Sequence, residues 1–446
     1  MNGDAMNETR DPLPAVDTNR RRLLGGLGLA AATCPFSGLV VGPAQARTAA
    51  AAAPGHVTDA PVLNTASPDD RVPFFGAHQA GIVTPRPAHG MIASFHVVAQ
   101  TPEELEDLLR RLTDRIAFLT EGGTPPALDP RLPPADSGIV GPVVRPDALT
   151  VTVALGASLF EDRPWLAPLK PLRLSRMTRF PNDALDGSLC HGDLALQICA
   201  NTQDTTLHAL RDILKNLPDR LVLKWKQEGN VPVIAPGPDG LAESARNFLG
   251  FRDGSANPDA ADDALMDRLV WVGPERGEPD WALGGSYQLV RIIRNFVERW
   301  DRTPLREQEA IMGRARASGA PLDRPEASEF EAPDYAGDPD GAATPLDSHI
   351  RLANPRTRES GENVILRRPF NYSNGVTRAG QLDQGLLFIC YQADLEKGFI
   401  AVQRRLDGEP LEEYIKPVGG GYFFALPGVR DASDHLGSGL IAALTR

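Results

Sequence analysis

Hydrophobic and polar positions follow an order that occurs twice along the chain. In the first half, alternation predicts strands at 91–99, 150–155, 194–200 and 221–226, and helical spacing predicts helices at 102–119 and 206–217. In the second half, strands are predicted at 287–298, 363–367, 385–391 and 422–425, and helices at 304–314 and 395–405. Both halves have the order βαββαβ, so the sequence predicts an α+β fold built from two ferredoxin-like units.

A short local match supports duplication of this unit. Residues 196–200 have the sequence LQICA and residues 387–391 have LFICY, and each is a predicted strand followed by a predicted helix. We place the two units at 74–250 and 251–446. The glycine triplet at 419–421 precedes a strand rather than a helix, so it is predicted to be a turn and not a phosphate-binding loop.

The first 46 residues have the features of an export signal. Three arginines at 20–22 precede an apolar run broken by glycines, and Ala44, Gln45 and Ala46 form a small-x-small cleavage site. This pattern favours twin-arginine export to the periplasm or the exterior. A membrane anchor is the alternative, but the run is too interrupted to supply about 20 strongly apolar residues. Residues 47–73 are predicted to be a flexible mature N-terminus.

Composition narrows the range of functions. The 446 residues carry a formal charge of −12, with 42% hydrophobic and 23% charged residues, which is typical of a soluble globular protein. Nucleic acids and anionic membranes require a basic surface, so the charge argues against both and favours a small-molecule ligand. Beyond the signal, Cys190, Cys199 and Cys390 are expected to be buried free thiols, with one disulfide as the alternative.

Three residues are candidates for a catalytic or ligand-binding role. Asp253 lies in a glycine-rich stretch between the two units, where it could act as an acid or base or form an Asp-Gly turn. His349 lies among arginines, which suits a haem ligand with cations near the propionates; a structural histidine is the alternative. Arg367, 18 positions later, could stabilise an oxyanion or form a surface ion pair.

Taken together, the Gly250-x-x-Asp253-Gly254 element, His349 and Arg367 resemble the dye-decolourising haem peroxidases. The likeness is greatest to the exported branch associated with iron uptake, the deferrochelatase/peroxidases. It extends from about residue 74 to the C-terminus and includes the stretches 190–193, 347–356, 385–399 and 419–428. The resemblance implies that the two units form one haem-binding body of the dimeric α/β-barrel type, with one haem b per chain.

The resemblance also implies roles for individual residues. His349 would be the axial iron ligand, Asp253 would move protons on the distal side, and Arg367 rather than Arg368 would stabilise charge there. A further group would contact the haem, with Arg356 suited to a propionate: Gly254, Ser255, Ala256, Asn354, Pro355 and Arg356. Asp394 is the predicted hydrogen-bond partner of the axial imidazole.

Three functions fit these residues. The first is a peroxidase that reduces hydrogen peroxide and oxidises bulky organic donors, and the second is a deferrochelatase that takes haem as substrate and leaves the porphyrin intact. The third is a periplasmic haem carrier, which would not need Asp253 and Arg367. The resemblance also implies a homodimer and iron-uptake components as partners. Four aromatic residues are candidate electron relays or simply packed core: Trp271, Trp281, Trp300 and Tyr372.

Overall fold

The secondary structure is given for residues 66–235 and 242–445, which the computed structural model describes. The strands are β1 (His89–Val97), β2 (Thr150–Gly156), β3 (Leu194–Ala200), β4 (Leu221–Asn230), β5 (Ser286–Asn295), β6 (Leu366–Arg367), β7 (Phe370–Val376), β8 (Leu382–Gln392) and β9 (Ile415–Ala425). The helices are α1 (Pro102–Glu121), α2 (Ala157–Glu161), α3 (Gln203–Asn216), α4 (Asp263–Leu269), α5 (Val297–Trp300), α6 (Leu305–Met312), α7 (His349–Ala353), α8 (Ala401–Leu406) and α9 (Ser438–Leu444). The predicted export signal and residues 47–65 of the predicted mature N-terminus lie outside the described residues.

Eight strands form a closed antiparallel barrel. Their order is β5-β9-β2-β3-β1-β4-β7-β8, and β8 pairs with β5 to close the ring, while β6 extends the sheet along β8. The first half of the chain contributes the order β4-β1-β3-β2 and the second half contributes β9-β5-β8-β7, so one arrangement is repeated. The halves meet where β2 pairs with β9 and where β4 pairs with β7.

The two faces of the barrel wall belong to different hydrophobic clusters, because neighbouring residues of a strand point to opposite faces. Ile92 of β1 and Val290 of β5 belong to the cluster that fills the barrel. Met91 and Leu289, one position away, belong to the cluster outside it. The outer cluster contains the buried faces of α1 and α3, whereas the inner cluster contains Met266 and Leu269 of the short helix α4, so the barrel has a filled interior and a largely helical outer layer.

Helices α1 and α3 cover the outer face of the first half. Each begins after a threonine, Thr101 or Thr202, whose side chain accepts a hydrogen bond from a backbone N–H in the first turn. Each helix buries one apolar face, which in α1 includes Leu105, Leu108 and Leu112. In the second half of the barrel, the outer face instead borders a cavity.

The predicted helices and strands are confirmed in their positions, with differences in extent, except for the strand predicted at 363–367, of which only Leu366–Arg367 is extended, as β6. The predicted helix at 395–405 is divided into a π-helical turn (Glu396–Ile400) and α8, and Gly398 within the π-helical turn has non-helical backbone angles. The strand β7 has no counterpart among the predicted elements. Pro369 separates it from β6 and cannot donate to the ladder, so the alternation of the sequence is interrupted there.

The predicted turn at 419–421 is wrong, because these glycines lie inside β9. Gly420 has a φ of +125°, and a Cβ at this position would lie 2.0 Å from the carbonyl oxygen of Val290 on β5. A Cβ on Gly419 would lie 2.7 Å from atoms of Leu189. Gly420 therefore allows the close approach of β5, and Gly419 allows the close approach of the turn that ends at Leu189.

The three cysteines of the described residues, Cys190, Cys199 and Cys390, are buried and free, as expected from the sequence. Burial raises the pKa of Cys199 to about 11, so this thiol is protonated at neutral pH. Among the described residues, no helix has both the length and the apolar character that crossing a bilayer requires.

Candidate functional site

A cavity of about 290 Å³ lies between the outer face of the second half of the barrel and the helices α6, α7 and α8. The apolar part of its wall includes Ile293, Met312, Leu386, Phe388, Val402 and Leu406. Asp253, His349 and Arg367 also line the cavity. The structure therefore brings the three predicted residues together in one concave, largely apolar site, as is usual for cofactor pockets.

The imidazole of His349, the first residue of α7, faces this cavity. Its Nδ1 lies 2.7 Å from Oε2 of Glu409, whose side chain is buried. Within the described ranges Nε2 has no hydrogen-bond partner, so it is the nitrogen left for a ligand. Burial has the largest effect on the pKa of His349 and lowers it, but the charge and hydrogen bond of Glu409 together raise the pKa above its ordinary value.

The C-terminal end of α7 is held by Arg405 of α8. Its Nε donates to the carbonyl of Leu352 at 3.1 Å, and its Nη2 donates to the carbonyl of Ala353 at 2.8 Å. The last carbonyls of a helix lack partners within the helix, so these bonds satisfy them. The helix that begins at His349 is thereby fixed to a helix that forms part of the cavity wall.

The prediction that Asp394 holds the imidazole is wrong. Asp394 forms an ion pair with Arg173 at 2.9 Å and accepts hydrogen bonds from the backbone N–H groups of Glu396 and Lys397, both at 3.0 Å. Its carboxylate therefore caps the first backbone N–H groups of the π-helical turn, as a short acidic side chain often does at the start of a helix. Glu409, 60 positions beyond His349, holds the imidazole instead.

Asp253 and Arg367 form an ion pair at the cavity, with 2.7 Å between Oδ1 and Nη1. Asn257 ties the backbone of Arg367 to the segment that carries Asp253. Its Oδ1 accepts from the N–H of Arg367 at 2.9 Å, and its Nδ2 donates to the carbonyl of Arg367 at 3.0 Å. The relative position of the carboxylate and the guanidinium is thus fixed by backbone contacts as well as by their own bond.

The consecutive arginines Arg367 and Arg368 occupy different environments, because neighbouring residues of an extended chain point to opposite faces. Arg367 lines the cavity. The Arg368 side chain is buried and donates to the carbonyl of Thr84. Of the two, only Arg367 faces both Asp253 and the cavity among the described contacts.

Arg86 is a further cation near Asp253. Its Nη1 donates to the carbonyl of Pro369 at 2.5 Å, and its guanidinium lies 5.7 Å from the ring centre of Phe370. Burial, the largest effect, lowers the pKa of Arg86 to about 10, while the charge of Asp253 acts in the opposite direction. A residue of the first half of the chain therefore supports the segment that follows Arg367.

Most of the other residues predicted to contact a haem also line the cavity: Gly254, Ser255, Ala256, Asn354 and Arg356. Pro355 is not among the described lining residues, although both of its neighbours are, so its contact with a haem stays a prediction. The N–H of Arg356 donates to Oδ1 of Asn354 at 3.0 Å, and Arg356 has a φ of +61°. The chain thus turns tightly at Pro355, and the two flanking residues face the cavity.

The residues at the cavity fit a haem. The apolar walls suit a porphyrin, and the free Nε2 of His349 suits an axial bond to iron. The Arg356 guanidinium lines the cavity and forms no ion pair within the described ranges, so it is available to a propionate carboxylate. These three features come from separate parts of the second half of the chain and converge on one site.

Comparison with known families gives an independent result. Family models described as "Dyp-type peroxidase, N-terminal" and "Dyp-type peroxidase, C-terminal" match residues 79–230 and 244–430, which together are more than half of the chain. The chain belongs to the Dyp-type peroxidase family. The resemblance inferred from the sequence motifs is therefore confirmed.

Individual relatives cover nearly the whole chain. A protein of Escherichia coli strain UTI89 named "Deferrochelatase" is 55% identical over 431 residues, which are 95% of this chain and 97% of that protein. The DyP-type peroxidase from Cellulomonas bogoriensis has a TM-score of 0.73 at 34% identity, covering 84% of this chain and 99% of that structure. Ferric DtpA from Streptomyces lividans has a TM-score of 0.75 at 32% identity, covering 86% and 100%.

Two residues of the site, Glu409 and Asn257, were not predicted from the sequence. Glu409 precedes a proline and lies near the acidic residues Asp407 and Glu412, and no motif distinguishes it from them. Asn257 lies within the glycine-rich stretch, but only the tertiary structure brings it to Arg367, 110 positions away. The residues proposed as electron relays are all buried, so their role in electron transfer stays a prediction: Trp271, Trp281, Trp300 and Tyr372.

Replacing Glu409 with glutamine should weaken the donation of His349 to a bound iron. A glutamine oxygen can still accept the Nδ1 hydrogen bond, but the negative charge that makes the imidazole more basic is lost. We expect a higher ferric/ferrous midpoint potential and haem loss about 10-fold faster, the lower limit usual for such outer partners. Spectroelectrochemistry and haem transfer to apomyoglobin measure the two effects.

The exposed Glu413, four positions further, gives the matched control as Glu413→Gln. It should leave both the potential and the rate of haem loss unchanged. An unaltered potential in Glu409→Gln would show that the carboxylate does not act on the imidazole.

Proposed function

We propose that this protein is a haem-dependent peroxidase that reduces hydrogen peroxide and oxidises bulky organic donors. The observation that carries the proposal is that the Asp253–Arg367 ion pair shares one cavity with the His349 imidazole held by Glu409. A carrier that only binds haem needs an axial ligand, but it has no use for an acid/base and a cation at the same cavity. The family assignment supports the same function.

In this proposal, the residues divide into those that would hold the haem and those that would act on peroxide. His349 would hold the iron through Nε2, and Glu409 fixes the orientation of the imidazole. A bound haem supplies the redox chemistry. The Asp253 carboxylate would take a proton from one oxygen of peroxide and return it to the other, which leaves as water. The Arg367 guanidinium donates hydrogen bonds to the oxygen on which negative charge develops as the O–O bond breaks.

We also propose deferrochelatase activity, with haem as the substrate. In this reaction, iron leaves, two protons take its place on the pyrrole nitrogens, and the porphyrin stays intact. The proposal rests on the family and on relatives more than half identical to this chain that bear the name "Deferrochelatase". Asp253 is a residue of the cavity that can carry a proton toward such a substrate.

The remaining features are proposed on the same basis. Each half of the chain would be a ferredoxin-like unit, at 74–250 and 251–446, and the repeated strand order supports this division. The cofactor would be one haem b per chain, because the described residues that line the cavity include no cysteine to form the covalent links of a c-type haem. The arginine triplet at 20–22 supports export by the twin-arginine route to the periplasm or outside. A homodimer and iron-uptake components are the proposed partners.

Supplying haem and a reductant without peroxide should release iron and leave fluorescent protoporphyrin. Iron quenches porphyrin fluorescence, so emission that grows with time reports demetallation directly. A ferrous chelator in the same sample should capture iron in equal amount. The same preparation, loaded with haem and given peroxide, should decolourise an anthraquinone dye.

Porphyrin fluorescence and dye decolourisation measure the two activities separately. Dye turnover without porphyrin fluorescence would leave the peroxidase proposal and overturn the chelatase proposal. Haem binding with neither activity would establish the carrier instead. Asp267→Asn, an exposed change on α4, serves as the matched control and should retain both activities.

A further inference from the structure

A buried carboxylate that the proposed chemistry does not use lies next to the segment that carries Asp253. This is Glu329, in the connection between α6 and α7, and its side chain is only 4% exposed. Buried carboxylates are costly unless they are well paired, so the contacts of Glu329 indicate what it does. We call residues 244–255, which include Asp253, the distal loop. All of the described side-chain contacts of Glu329 are with this loop.

The Glu329 carboxylate binds both sides of the distal loop. Its Oε2 accepts a hydrogen bond from the hydroxyl of Ser255 at 2.5 Å, and its Oε1 accepts one from the backbone N–H of Ser244 at 2.9 Å. The Nε of Arg252 lies 3.8 Å from Oε1, which adds an ion-pair contact. Three positive or donating groups therefore converge on one anion.

These contacts bracket Asp253 in the sequence and in space. Arg246 and Arg252 form an antiparallel bridge, and the N–H of Asp253 donates to the carbonyl of Ala245 at 2.8 Å. Ser244 and Ser255 therefore lie at the same end of a short ladder, just beyond Asp253. Because Glu329 binds both of them, it closes this end of the ladder.

The connection that carries Glu329 is itself fixed. Arg314, which lines the cavity, donates through Nη1 to the carbonyls of Gly319 at 2.8 Å and Glu329 at 2.7 Å. Gly319 has a φ of +78°, and a Cβ there would lie 2.9 Å from both Arg252 and Glu329 side-chain atoms. The backbone on either side of the carboxylate is thus held against the distal loop, so Glu329 can act as a rigid anchor.

We propose that Glu329 is a positioning residue that acts through Asp253. By holding Ser244, Arg252 and Ser255, its carboxylate keeps the distal loop closed and the Asp253 carboxylate aligned with Arg367 and the cavity. An error of about 1 Å in such an alignment can lower a rate about 100-fold. The inference rests on the proposed role of Asp253 in peroxide chemistry.

A double-mutant cycle tests this inference in the haem-loaded protein. Glu329→Ala should lower kcat/KM for peroxide about 10-fold, with the KM for the dye unchanged. In an Asp253→Asn background, the same change should have no further effect, because residues that act as one unit are not additive. Glu326→Gln, an exposed change in the same connection, is the matched control and should have no effect.

Cyanide affinity gives a second measurement that does not depend on turnover. Cyanide enters as HCN and must leave its proton on a base in the cavity, so a misplaced Asp253 should weaken its binding. We expect the cyanide dissociation constant of Glu329→Ala to rise by a similar factor, and to be unchanged by this mutation in the Asp253→Asn background. If Glu329→Ala does not fold, Glu329→Gln replaces it and should show about a threefold effect, since an amide retains the shape but loses the charge toward Arg252.

The possible failures are distinguishable. Wild-type rates and cyanide affinity in both Glu329 variants would overturn the positioning role while Asp253→Asn still shows the loss expected of an acid/base. An equal loss in the Asp253→Asn background would show that Glu329 acts independently of Asp253, which also overturns the inference. Full activity in Asp253→Asn alone would instead remove the proposed function on which the inference rests.

Discussion

Replacement of His349 with alanine should abolish stable haem binding. His349 supplies the imidazole nitrogen that faces the cavity, and its partner Glu409 makes that nitrogen a stronger donor. Without a bond from the imidazole to iron, a haem would be held only by the apolar wall and by polar side chains such as Arg356. We expect at least about a 100-fold loss of haem affinity, the upper limit seen when only an outer partner of a ligand is removed. Titration of apoprotein with haem, followed at the Soret band, measures it.

External imidazole makes the test specific. The alanine variant leaves space where the ring was, so millimolar imidazole should restore much of the Soret band of the histidine-bound protein. His96→Ala removes an exposed histidine of β1 and is the matched control, with unchanged affinity expected. Unchanged haem content and spectrum in His349→Ala would refute the axial role.

The order of strands and helices could be predicted because hydrophobic alternation is a local property. Closure of the barrel cannot be derived from that alternation and was implied only by the family resemblance. It depends on pairs such as Ala154 with Ala425 and Asn230 with Asn371, which join distant parts of the chain without a local signal. The glycine triplet shows the same limit, since the need for glycine at Gly420 comes from the backbone of β5 and not from its own neighbours.

The residues of the functional site could likewise be predicted only in part. Asp253 lies in a glycine-rich stretch and His349 lies near several arginines, and these local compositions made both residues predictable as candidates. Glu409 reaches His349 only through the fold, and the sequence offers no reason to prefer it to Asp394. Asp394 lies just before a helical segment, where a short carboxylate bonds to backbone N–H groups, and that local use excludes it from the imidazole.

Asp253→Asn should retain haem but lose most peroxide-driven turnover. The asparagine side chain has nearly the same shape, and its oxygen can still accept the hydrogen bond from Arg367 that the carboxylate accepts at 2.7 Å. The amide cannot take up a proton from peroxide, so the proton transfer loses its base. General acid–base catalysis contributes about 100- to 10,000-fold, and we expect kcat/KM for peroxide to fall within that range. Stopped-flow mixing with peroxide and steady-state dye decolourisation measure the loss.

The Soret band distinguishes a chemical effect from a structural one. Because Asn257 holds Arg367 through backbone hydrogen bonds, the guanidinium should stay at the cavity in the variant, and the ferric spectrum should change little. Asp267→Asn, which alters an exposed carboxylate on α4, controls for the loss of one negative charge and should keep wild-type activity. Full turnover in Asp253→Asn would exclude Asp253 as the acid/base. The function of the ion pair would then have to rest on Arg367 alone, since the carboxylate would serve only to orient the guanidinium.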